Sequence, residues 1–565
     1  MRPLAALLVA ALVTVATSTS AQDTSIPAAR TAELADLAVP SMHEEALAAG
    51  IDHKYTGGWE FFVGGGGSSF DCNGDGMPDM ALAGGTSPAA LYINTSKVGG
   101  ALSFTKGDLG LSDKDLRNVL GIYALDIDGD GQDDLVLLRL GGNIVLRGLG
   151  QCRFQRADRI WHIDPGHAWT TAFSAEWEPG NKFPTLAFGN YVNRVAPGSP
   201  WGTCSDNVLM RPAKGAQEPD YSDAYTLSPG YCALSMLFTD WNHSGEQDLR
   251  IANDRQYYRG GEEQLWRVQP GRPPRLYTRA DGWKHLSIWG MGITEADLNA
   301  DGLPEYAISS MGDTKLQTLS DPTDPSEPIY TDIAFQDGVT AAQPYTGPDK
   351  LPSTGWHTEF ADFNNDGYQD LFIAKGNVEQ MTGFAMDDPD NLLLQTTMGK
   401  FVEAGDMAGI ALNRSGRGAI IDDFNRDGML DLLVVNRKQN VSLFRNLGRK
   451  TAWGHASLGN WVEIELEDSG GNHHGIGARI IVKTGTHPMS RIVYVGGGHA
   501  SGHSGPIHVG LGLLDRATVR VQWPDGSWSA DYNFLANQNI VIKRDAPAVI
   551  YRQFQGNQSS PQHDE

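Results

Sequence analysis

An all-β chain is predicted: a seven-bladed β-propeller followed by a small β-sandwich domain. Three observations predict it. A nine-residue acidic pattern recurs six times, each copy followed directly by a short apolar, β-rich run. The copies fall roughly 50 to 65 residues apart, room for one four-stranded sheet with its loops, and no single copy could bury both faces of its own sheet. After about residue 450 the pattern stops, and short segments alternate apolar and polar residues instead. The 67 glycines in 565 residues supply the turns such a fold needs.

Residues 1–21 have a charged start at Arg2, an apolar run from Leu4 to Val15 and small residues at Thr19-Ser20-Ala21. They read as a secretory signal peptide, with the mature chain starting near Gln22. The run is too interrupted for a membrane span, and no later stretch is apolar enough for one. The expected location is secreted or periplasmic. The four cysteines then face an oxidising compartment. Three pairings are open; Cys204 and Cys232 flank one insertion that a bridge would close, which leaves Cys72 with Cys152. Residues 22–55 form an N-terminal segment with a capping-box pattern at Ser41 and Glu44.

The propeller is expected over residues 56–450. Its six acidic loops begin at Asp71, Asp126, Asp240, Asp297, Asp362 and Asp423. Oxygen-bearing residues follow at the third and fifth positions: Asn73 and Asp75, Asp128 and Asp130, Asn242 and Ser244, Asn299 and Asp301, Asn364 and Asp366, Asn425 and Asp427. Glycine stands sixth, permitting a sharp reversal. The seventh residue, Met77, Gln132, Glu246, Leu303, Tyr368 or Met429, would offer its carbonyl. The ninth is acidic: Asp79, Asp134, Asp248, Glu305, Asp370 and Asp431. Such a cage of oxygens suits Ca2+ better than Mg2+, which keeps its waters. Position 12 is Leu82, Leu137, Ile251, Ile308, Ile373 or Val434, so these are strand-flanking loops and not EF-hands. A seventh, degenerate copy at Glu176-Trp-Glu178 lacks the ligand set. The Asp126 loop, with four aspartates, is expected to bind most tightly, and the Asp240 loop to empty first. Six calcium ions would add roughly +12 to a chain of formal charge −24, so calcium is expected to stabilise the fold. The loop and its following buried strand resemble the FG-GAP, integrin-alpha type of propeller.

Residues 455–545 are expected to form a separate sandwich. Their strands include Trp461-Val-Glu-Ile-Glu-Leu466, Ala478-Arg-Ile-Ile-Val482 and Thr518-Val-Arg-Val-Gln-Trp523. With Gly475-Ile-Gly-Ala-Arg479, His508-Val-Gly-Leu-Gly512 and Trp523-Pro-Asp-Gly526, this stretch is similar to the ASPIC/UnbV domain found behind FG-GAP propellers in cartilage acidic proteins and many bacterial secreted proteins. The resemblance implies an extracellular calcium-binding propeller protein and supplies no reaction. Residues 546–565 read as a polar tail.

Two further sets of residues are candidates. Histidines cluster in the C-terminal module, and His473, His474, His499, His503 and His508 are candidates for a transition-metal site. At the fourteenth position, counting each loop's first residue as one, stand Gly84, Arg139, Asn190, Asn253, Ser310, Lys375 and Asn436, allowing one insertion in the degenerate copy. If the strand they end lines the axis, the polar ones form a ligand-binding ring. The acidic balance excludes a nucleic-acid binder. No phosphate loop, HExxH, CxxC or nucleophile elbow is present. The favoured reading is a secreted, calcium-binding module that engages an extracellular protein or glycan, as in adhesion. The alternative is an exported metal-dependent enzyme using the propeller channel or the histidine loops.

Overall fold

The computed structural model describes Leu34 and residues 37–197, 203–254, 261–340, 349–484, 488–552 and 554. The signal peptide at 1–21 and His487 lie outside the described residues. Strands dominate throughout. Six antiparallel sheets, each with its four strands in sequence order, span residues 67–106, 119–156, 170–227, 233–276, 290–332 and 355–403. A seventh sheet is built from Gly416–Asp422, Asp431–Asn436 and Ser442–Thr451. Its outer strand is Pro40–Glu44, from the chain's N-terminal end. The propeller therefore starts at Pro40 and not at 56, and Ser41 lies in a strand and caps no helix. Ring closure needs this strand: a blade shared between the two ends of the chain ties the last sheet to the first.

The innermost strands are Gly67–Phe70, Val119–Leu125, Thr170–Glu176, Ala233–Thr239, Gly290–Ala296, Gly355–Ala361 and Gly416–Asp422. Each touches the next, and the last touches the first. The result is a closed β-propeller. Nearly every residue of these strands is buried, as it must be where one face packs on each neighbouring blade. Disulfides join Cys72 to Cys152, linking the first two blades, and Cys204 to Cys232, linking the third to the fourth.

The C-terminal module is a sandwich of two four-stranded sheets. Its core includes Val462, Ile464, Ile480, Val482, Val509, Val519, Val521 and Trp523. It extends beyond residue 545, because Ile550–Tyr551 pairs with Gln538–Lys543. The tail begins correspondingly later.

This module is not separate. Residues 495–503 leave it and run into the propeller axis, where they bond to inner strands in turn. Gly497 and Gly498 N–H donate to the Met236 and Ile293 carbonyls at 2.6 and 2.7 Å. The Ser174 hydroxyl donates to the Val495 carbonyl, Ser501 bridges to Ile122, and Gly502–His503 pairs in parallel with Ser68 and Ser69. From the opposite mouth, residues 57–66 close the axis, held by Arg417 and Arg437 donating to the carbonyls of Phe62, Phe61 and Gly58. The two segments meet where Gly64 N–H donates to His499 Nε2 at 3.0 Å. Glycine is required here: a Cβ on Gly66 would lie 2.0 Å from the Ala500 carbonyl oxygen, and one on Gly498 2.3 Å from the His357 ring.

Candidate cation loops at the domain interface

Each loop starts at the end of an inner strand, and its ninth residue opens the next one: Asp79–Leu82, Asp134–Arg139, Asp248–Asn253, Glu305–Ser310, Asp370–Lys375 and Asp431–Asn436. The glycine at position 6 has positive φ in all six, from 81° to 95°. Position 4 does as well, although it is glycine only at Gly74 and Gly129. His243, Ala300, Asn365 and Arg426 adopt the left-handed region there, with φ from 53° to 59°.

The loops fold around their own carboxylates. Asp71, Asp126, Asp240, Asp362 and Asp423 each accept the backbone N–H of the sixth residue, at 2.6 to 2.9 Å. Fifth-position Asp75, Asp130, Asp301, Asp366 and Asp427 accept the N–H two residues on. The ninth carboxylate also has a structural job that the spacing did not suggest. In Asp79, Asp134, Asp370 and Asp431, one oxygen accepts the N–H of the second loop residue and the other an N–H of the third strand. It acts first as a clamp between strands.

What remains suits a hard cation. Asp126, Asp128 and Asp130 place one oxygen each within 4.8 Å of one another. Asp297 Oδ1 and Asn425 Oδ1 are buried without a hydrogen-bond partner. Burial and mutual repulsion raise Asp366 to about 7, while burial raises Asp79 and Glu305 to about 7, and Asp126 and Asp427 to about 6. A divalent ion would reverse that cost. One feature was missed: Arg147 Nε lies 2.6 Å from Asp128 and its Nη2 2.9 Å from Asp130. This guanidinium competes for the loop expected to bind most tightly. In the degenerate third blade an internal cation takes over part of that role: Arg211 pairs with buried Glu178, which also accepts the Thr185 hydroxyl, while Glu176 Oε1 and Glu178 Oε2 stay unpartnered.

The loops face the sandwich. Trp461 packs on Gly428, Gly471 on Gly129, and Met489 on Gly367. Gly510 N–H donates to Asp362 Oδ2 at 3.1 Å, and Arg479 reaches Asp297 at 3.4 Å. Position-4 side chains make the remaining connections: Arg426 to Glu463 at 2.7 Å, Asn365 to His508 at 2.7 Å, and His243 to Arg479 at 3.3 Å. No local signal marks this role, since the four residue types share only an unusual backbone conformation.

The other candidates do not assemble. Among the described residues no three histidines share a site. His499 is buried on the axis and neutral, its pKa lowered to about 3 by burial and by Arg417. His503 bonds Ser69, His508 bonds Asn365, and His473 bonds the Asp468 carbonyl. His474 lies 3.7 Å from Asp133. The polar ring also fails, because the first strand of each blade and not the second lines the axis. Arg139 donates to the Gly142 carbonyl, Asn190 to Asp206, Asn253 to Glu262, Ser310 to Asp313 and Asn436 to Asn440, while Lys375 pairs with buried Asp388. Each is used inside its own blade.

The fold and the loops thus define a closed β-propeller of acidic-loop repeats joined to a C-terminal β-sandwich. Residues 71–137 match the FG-GAP-like repeat family and residues 468–549 the ASPIC and UnbV family. The chain is similar to cartilage acidic protein 1 of Homo sapiens, 27% identical over 462 residues, covering 75% of this chain and 63% of that protein. Against the Mus musculus protein it is 26% identical over 268 residues, 45% of this chain and 36% of the relative. The chain thus spans less than two thirds of the length of either relative. Among solved structures, BBS1N in complex with ARL6DN aligns at a TM-score of 0.41 and 10% identity, over 74% of this chain and 98% of that one. An Agrocybe aegerita lectin that recognises non-reducing terminal N-acetylglucosamine aligns at 0.29 and 14%, over 69% and 81%. At those scores neither carries an argument. No helix among the described residues is long and apolar enough to cross a membrane.

Proposed function

We propose that this is an exported protein whose six loops bind calcium and thereby fasten the C-terminal sandwich to the propeller, presenting one rigid surface to an extracellular protein or glycan. The observation that carries it is the position of the loops: their acidic side chains and unpartnered oxygens lie at the seam between the two domains. A cation there neutralises like charges and fixes the backbone that the sandwich contacts. The two disulfides support an oxidising compartment. The adhesion role rests on the resemblance to integrin-type propellers and on the cartilage acidic relatives.

The channel reading of an enzyme loses its site, because residues 57–66 and 495–503 fill the axis. The test is elemental analysis of protein purified without chelator or affinity-tag metals, paired with calcium titration of the chelated protein. Several calcium equivalents and a calcium-dependent rise in Tm are expected. Protein that takes up no calcium at millimolar concentration overturns the reading. Binding to immobilised matrix proteins and glycans, with and without chelator, tests the partner half.

A further inference from the structure

Beside the axial segment, a cavity of about 140 Å³ lies between the inner strands of blades five to seven and the C-terminal module. Its wall carries six carboxylates, Glu295, Asp297, Glu359, Asp362, Asp422 and Glu463, facing Arg491, His357, His503 and His508. Most charges there are matched. His357 pairs with Glu359 at 2.9 Å, and Glu463 pairs with Arg426 at 2.7 Å.

Two are not. Arg491 is 7% exposed and donates only through Nη1, to the Ser490 carbonyl at 2.9 Å. Its Nε and Nη2 have no acceptor. Asp362 and Asp297, which also line the cavity, are the nearest opposite charges but make no hydrogen bond to Arg491: Asp362 accepts backbone N–H groups on both oxygens, and Asp297 Oδ2 faces Arg479. On another part of the wall Glu295 is 5% exposed and raised to about 7 by burial; its Oε2 accepts the Thr239 hydroxyl, the Tyr306 hydroxyl also bonds the carboxyl, and Oε1 lacks a well-aligned donor. Leaving a buried guanidinium edge and a carboxylate oxygen without partners is costly, and native structures rarely tolerate it unless something else binds there.

The Nε and Nη2 atoms form the edge of a guanidinium that grips a carboxylate through two parallel hydrogen bonds. We propose that this cavity binds a small carboxylate with a hydrogen-bond donor at its other end, an α-amino or α-hydroxy acid, held by Arg491 at the carboxylate and by Glu295 at the amino or hydroxyl group. The volume admits a molecule of a few heavy atoms and excludes peptides and oligosaccharides. Because the wall comes from both domains, such a ligand also bridges them.

Calorimetry and thermal shift on the full secreted chain in calcium test this, with glycine, serine, lactate, propionate and methylamine as probes. The amino and hydroxy acids are expected to bind and raise Tm, propionate to bind at least tenfold more weakly, and methylamine not to bind. R491Q should lose at least tenfold in affinity for every carboxylate, with the ligand-free Tm little changed, since it removes a buried guanidinium edge that has no hydrogen-bond acceptor. E295Q should narrow the gap between serine and propionate without abolishing carboxylate binding. No Tm shift or heat with any probe overturns the proposal, as does R491Q lowering the ligand-free Tm while leaving affinity intact. The readout is ligand affinity at fixed calcium, so it can fail while calcium loading succeeds.

Discussion

The third and seventh blades carry the same element, an inner strand, a tight acidic loop and a second buried strand, yet they manage its negative charge differently. In the third, Arg211 sits on Glu178 with both side chains buried, and Thr185 takes the place of the ninth acid. In the seventh, Asp423 and Asp427 crowd together, Asn425 Oδ1 has no partner, and Asp423 is pushed well above the usual carboxylate range by burial and by Glu463. The comparison teaches that the strand-turn-strand geometry needs a positive charge but not a particular one. A guanidinium is permanent and belongs to one blade. The external cation proposed for the seventh could be withdrawn, which would make the interface above it conditional.

Chelation should break the comparison most forcefully. A site held a hundredfold above its Kd contributes about 2.7 kcal/mol, so emptying several would remove stability comparable to the roughly 5–15 kcal/mol of a whole domain. EDTA is expected to lower Tm by well over 10 °C and to open the sandwich-propeller seam to protease; an unchanged melting curve would contradict this. R211M comes next. It strands Glu178 inside the third blade and should cost about 3–5 kcal/mol. That loss should be the same in calcium and in EDTA, and calcium rescue would show the blade to bind metal after all.

Asp423→Ala and Asp240→Ala should each reduce bound calcium by one equivalent. The first should cost more stability, because Asp423 is fully buried beneath the sandwich whereas the Asp240 loop is largely exposed. Equal losses would mean that the seam draws nothing from the cation.

Acidity sharpens the contrast further. In chelated protein the loop carboxylates have raised pKa values, about 7 for Asp366 and Glu305 and about 6 for Asp126. The folded state therefore binds more protons than the unfolded one, and this contribution is fully present below about pH 4 and lost as pH rises through 6 to 7. Apo stability should thus rise between pH 8 and pH 6, while the increment from calcium shrinks; a fall in apo stability over that range would refute it. The smallest effect is expected from R147M. Removing the guanidinium beside Asp128 and Asp130 should tighten calcium at the second loop by up to about tenfold, roughly 1.4 kcal/mol, read by competition with a calcium indicator.

The loops were legible because their donors are contiguous: Asp71 to Asp79 states the turn, the glycine and the strand start within nine residues. The strand Pro40–Glu44 was not, since a five-residue edge strand carries little periodicity and its partner lies some 400 residues later. The same limit hid the roles of position 4 and of Gly496-Gly-Gly-His499. Arg426 and Asn365 look like ordinary loop residues until Glu463 and His508 are brought above them. The misplaced ligand ring had a different cause. Inner and second strands are equally buried but the second carries the longer apolar run, Leu432 to Val435 against Ala419 to Ile421, so apolarity points to the wrong strand as the one lining the axis.

The meeting of Gly64 with His499 also sets an order of events. These residues lie 435 positions apart, and one reaches the axis from each end of the ring. Blades can form as they are synthesised, but the ring has no filled centre until the last fifth of the chain arrives. Contacts of such sequence separation close slowly. A chain truncated before residue 495 is therefore expected to leave the propeller axis unfilled.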